Sequence, residues 1–141
     1  MKFLATILSG ALLTAGAAGA QEFNCTFPKQ GVNSWIRGQI IVKFDPATQT
    51  ASVFDSLINQ EFGAPIAAKV STNNDKRLTV RWRLRNVQTR LGFAPSIDYT
   101  LSYLKQTGQA NANAIAPLVD EPTRSPFSPG QYSAGGSCAP R

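Results

Sequence analysis

Arg77-Leu78-Thr79-Val80-Arg81-Trp82-Arg83-Leu84-Arg85 alternates between polar and apolar side chains without a miss. A period of two belongs to a strand, because a helix would scatter the four apolar residues around its circumference. On a strand, Leu78, Val80, Trp82 and Leu84 enter a core. Thr79 and the arginines then line the opposite face.

The rest of the chain supplies strands to pair with this one. Phe23, Cys25 and Phe27 alternate with Asn24 and Thr26 as a first short strand. From Trp35 to Phe44 a second reads with Ile40, Val42 and Phe44 on one face and Ile41 and Lys43 on the other. Asp45-Pro46-Ala47-Thr48 makes a turn, since Pro46 pre-sets its backbone angle and Asp45 can accept a hydrogen bond from further along. A third strand returns over Gln49 to Asp55. Ser56 to Gly63 lacks a period and is expected as a loop or a single helical turn. Ala64 to Val70 resumes extended structure, and the turn signal Ser71 to Asp75 delivers it into the arginine strand.

After Val87 a loop is expected through Leu91-Gly92-Phe93-Ala94-Pro95, its Leu91 and Phe93 packing on the core edge, with a contact loop beside Arg90 as the alternative. Ile97, Tyr99, Leu101 and Tyr103 alternate with polar residues as a second clear amphipathic strand. Gln109 to Ala116 returns it, setting Ala110, Ala112 and Ala114 on one face, small partners that let the tyrosine rings fill an interior or, as the alternative, leave room for a ligand. Prolines 117, 122, 126 and 129 make residues 117–130 a surface loop. Gln131 to Cys138 is a last strand, with Gly135-Gly136 marking a bulge or a close approach of backbones. About eight short strands joined mostly by tight turns predict an all-β fold. A small antiparallel barrel leaves no free edge, and a two-sheet sandwich is the alternative.

The chain opens with Lys2, an uncharged run to Ala20 and the small residues Ala18-Gly19-Ala20, the layout of a cleaved secretory signal over residues 1–20. Its strongly apolar part, Phe3 to Leu13, is shorter than the roughly 20 residues that span a bilayer. Residues 21–141 then form a single β domain, exported to a periplasm or beyond the cell. Cys25 and Cys138 are the only cysteines, lie near the two ends of that domain and are expected to pair.

The formal charge of +6 is local in origin. Between Lys69 and Arg90 seven basic side chains stand against Asp75 alone, a window of +6 that leaves the rest of the domain at −1. Guanidinium forks match phosphate and carboxylate oxygens, so Arg77, Arg81, Arg83, Arg85 and Arg90 are candidate anion-binding residues. The bland alternative is a solvated face whose charges meet Asp98 and Thr100 on a neighbouring strand. Recognition of an anionic envelope component is the favoured function: lipopolysaccharide, anionic lipid or acidic polysaccharide. Nucleic acid is disfavoured, because Trp82 points away from the arginines and offers no stacking platform. Trp35 near Arg37 is the better stacking candidate.

Enzymatic chemistry finds little support. The sequence has no histidine, which removes the usual general base and a principal metal ligand, and no catalytic motif or cofactor signature replaces it. Asp45, Asp55, Asp98 and Glu61 show no spacing that marks a catalytic pair. In size, export and inferred barrel the chain is similar to the small secreted lysozyme inhibitors, and Tyr103-Leu104-Lys105-Gln106-Thr107-Gly108 resembles their loop. That resemblance implies a protein partner and an inhibitor function as an alternative. The charge departs from it, since an inhibitor of basic lysozymes is expected to offer carboxylates. A carrier of a small apolar ligand, resembling lipocalins in architecture, is the remaining alternative.

Overall fold

The computed structural model describes residues 19–30, 34–89, 92–116 and 130–141. They form eight strands and one short helix: β1 (Gln21–Thr26), β2 (Gln39–Asp45), β3 (Thr50–Asp55), α1 (Ser56–Phe62), β4 (Ile66–Asn73), β5 (Arg77–Thr89), β6 (Gly92–Leu104), β7 (Gln109–Ala116) and β8 (Gly130–Pro140). Each strand pairs antiparallel with the next, and β8 closes on β1, so the sheet is a barrel rather than a sandwich. Among the described residues no helix is long and apolar enough to cross a membrane.

Alternation sorts the side chains as the strand period requires. Leu78, Val80, Trp82 and Leu84 are all buried, against Tyr99, Leu101 and Ile97 from β6. Tyr99, Leu101 and Tyr103 face Ala114, Ala112 and Ala110 in register, and rings and alanines alike are buried. The small methyl groups make room for the large rings, filling the interior where a row of bulky residues on both strands would overpack it.

Closure is covalent as well as hydrogen-bonded. Cys25 and Cys138 sit opposite each other in the β1–β8 ladder and form a disulfide across 113 residues of sequence. Beside them, a Cβ on Gly136 would lie 2.0 Å from the Thr26 carbonyl oxygen and 2.7 Å from the Phe27 ring. The β7–β8 register runs unbroken through Gly135 and Gly136, so this pair marks a close approach and not a bulge.

Several segments differ from the sequence reading. Trp35 and Ile36 precede β2 and are buried at the end of the barrel instead of extending the strand. Ser56–Phe62 is helical: the Asp55 carboxylate accepts from Ile58 N (2.8 Å) as N-cap, Gly63 ends the helix in a left-handed conformation, and Leu57 and Ile58 are buried. The expected loop after Val87 is paired structure, with Val87 opposite Ala94 and Gln88 opposite Phe93. Among the described residues the β6–β7 ladder begins beyond Pro95, at Asp98, so the proline interrupts no described pairing on that side, while Asn86 lies across from it with φ 53°. Both strands change phase there, so Val87 and Ala94 turn inward and Phe93 is exposed. The expected export leader (residues 1–20), Leu91 and the proline-rich segment (117–130) fall almost wholly outside the described residues.

Candidate functional site

Alternation places Arg77, Arg81, Arg83 and Arg85 on the outside of β5, and all four are exposed. Thr79 breaks the row. It is only 6% exposed, held between β4 and β6, with its hydroxyl 2.9 Å from that of Ser102. Arg77 is thereby set apart from a contiguous group of Arg81, Arg83 and Arg85. Arg90 lies outside the described residues.

The register decides what each arginine meets. Arg83 faces Asp98 and forms a two-pronged ion pair: Nε donates to Oδ1, and Nη2 donates to Oδ2 at 3.0 Å. The hydrogen bond and the carboxylate charge hold the Arg83 guanidinium even more firmly protonated than usual. Arg81 faces Thr100, and Arg85 faces Ser96. Among the described residues the ion pairs are Arg83–Asp98 and Arg141–Glu22, so no carboxylate pairs with Arg77, Arg81 or Arg85.

Across the β4–β5 seam the opposite happens. Lys69 of β4 lies directly opposite Arg81, and both are exposed. Side chains in this relation have Cβ atoms about 4.5–5.5 Å apart, and like charges there destabilise the sheet. The sequence places Lys69 in the basic window without revealing this juxtaposition, because a register shift between Val70 and Thr72 fixes it. With Arg83 occupied, Lys69, Arg81 and Arg85 are neighbouring cations with no ion pair among the described residues, the two arginines about 13 Å apart along the strand.

Three of the four acids singled out from sequence have structural duties, and the fourth, Glu61, is exposed on α1. Asp45 Oδ1 accepts from Ala47 N (2.9 Å) in its turn, Asp55 caps α1, and Asp98 holds Arg83. Trp35 is buried, which removes it as an exposed stacking surface. Among the described residues no group of histidine, cysteine, aspartate or glutamate could hold a metal ion.

A second feature was not legible in sequence. Arg37, Gln39, Ile41, Phe54, Asp55 and Asn59 line a cleft of about 260 Å³ where β2 and β3 meet the start of α1. Asp55 is 4% exposed, and burial pushes its carboxyl above the ordinary value, although the α1 amides and the nearby Arg37 charge act against this. Tyr99, whose hydroxyl donates to the Trp35 carbonyl at 2.9 Å, is pushed up by burial and then by the Asp55 charge.

No family model, curated protein or solved structure matches this chain.

Proposed function

We propose that the chain is an exported binding module that recognises an anionic partner through the outer face of β4 and β5. Lys69, Arg81 and Arg85 are the contact residues, and Arg77 is a separate cation beyond Thr79. The observation that carries this reading is Lys69 opposite Arg81 with no carboxylate among the described residues paired to the arginine. Two like charges held in register cost stability, and an external phosphate or carboxylate offsets that cost. Arg83 contributes as a strut, its charge already met by Asp98.

The disulfide fits an oxidising compartment, and with the leader-like opening it supports export. There a basic protein meets lipopolysaccharide, anionic lipid head groups and acidic polysaccharide. The test measures binding to phosphatidylglycerol vesicles, lipopolysaccharide and a polyuronate at rising salt, for the wild type and for Arg81→Ser with Arg85→Ser. Wild-type binding is expected to weaken steeply with salt, and the double variant to bind vesicles about 25-fold less well. Equal, salt-insensitive binding by both proteins to all three surfaces would overturn the reading.

A further inference from the structure

The outside of a barrel in water is expected to be polar, yet Ile41 of β2 and Phe54 of β3 point outward and face each other in register. Both are half-buried and together floor the cleft beside α1. The cleft falls below the roughly 300–1,000 Å³ of sites that enclose drug-sized molecules, which limits it to one small ring.

Its rim sets the chemistry of that ring. Arg37 and the buried Asp55, one cation and one anion, both line the cleft, so the formal charge of its lining sums to zero. Neutral groups remain: the Gln39 and Asn59 amides and the Ser56 hydroxyl, all exposed at the rim. Gln39 Nε2 donates to Asn24 Oδ1 at 2.9 Å, which orients the amide and leaves Gln39 Oε1 to accept from a ligand. Neutral donors and acceptors around an aromatic and aliphatic floor suit a ring with hydroxyl edges and a C–H face. The geometry points to a second binding site, distinct in residues and in charge from the arginine face, that takes one neutral pyranose unit of a glycan.

The test titrates the full chain with glucose, galactose and N-acetylglucosamine to about 20 mM, enough to fill a site with a Kd of about 1 mM, while backbone amide shifts are followed by NMR. At least one sugar is expected to give saturable shifts confined to residues 37–41 and 54–59. Asn59→Ala and Gln39→Ala replace exposed side chains, so they should leave the fold intact and weaken binding about fivefold each, the loss of one hydrogen bond. Arg81→Ser with Arg85→Ser should bind the sugar as the wild type does, which separates this site from the anion face. Absence of saturable shifts, shifts that map elsewhere, undiminished binding by both amide variants, or tighter binding of glucuronate than of glucose would each overturn the proposal.

Discussion

Trp82 lies flat against Tyr99, with ring centroids 5.0 Å apart and planes 3° from parallel. The two face each other across β5 and β6, and Tyr99 is in turn anchored to the Trp35 carbonyl. One stack therefore ties the arginine strand to the core and to the segment that covers the barrel end.

Trp82→Ala should cost about 3–5 kcal/mol, since it removes a large buried ring and the Tyr99 stack with it. Trp82→Phe should cost much less than that, because the buried indole N–H finds no partner among the described residues and phenylalanine drops the unsatisfied donor. Denaturant melts of the two variants check this. Equal losses for both would show that the indole nitrogen is satisfied in solution.

The disulfide joins first and last strands at a register pair, so cutting it leaves the hydrogen-bonded seam in place. Cys25→Ala with Cys138→Ala should keep the β-sheet circular dichroism of the wild type while lowering stability by about 2–5 kcal/mol. Loss of the sheet signal at ambient temperature would mean that the β1–β8 ladder cannot close without the bond.

Asp98 limits the charge that the outer face presents. Asp98→Asn releases Arg83 from its ion pair and adds one cation between Arg81 and Arg85. Affinity for phosphatidylglycerol vesicles should rise about fivefold, with a steeper salt dependence. A fall in affinity would make the Arg83–Asp98 pair part of the recognition surface rather than a brake on it.

Sequence periodicity revealed the faces of this barrel but not its registers. The alternation in Arg77–Arg85 and Ile97–Tyr103 assigns inward and outward residues with no knowledge of neighbours, and burial follows it at nearly every position. Whether Arg81 meets Lys69 or Val70 depends on a ladder irregularity between Val70 and Thr72, which is a property of two strands together. Gly92 and Pro95 carry loop signals that tertiary pairing overrides, since Pro95 lies outside the described β6–β7 ladder. The helix was hidden because seven residues are too few to display a period, and the sign of its start, Asp55, read equally well as a free acid. The cleft was hidden for a related reason. Its lining comes from the lead into β2, from β2 and β3 themselves and from α1, which no single stretch brings together.

Asp55 couples the α1 end of the barrel to pH. Its carboxyl titrates above the ordinary 3.8 because burial disfavours the charged form more than the Ile58 and Leu57 amides and Arg37 favour it. Between 3.8 and that raised value the folded chain holds more protons than the unfolded chain, so the Asp55 contribution to stability declines as pH rises through this window. Asp55→Asn keeps an oxygen to accept from Ile58 N and removes the ionisation. The stability of the variant relative to the wild type should therefore increase with pH across the window and level off once the wild-type carboxyl is fully ionised. Urea melts of both proteins in steps from acid to neutral pH measure this difference directly. A constant difference would mean that Asp55 titrates alike in the folded and unfolded chains, and a declining one would mean that Arg37 and the helix amides outweigh burial.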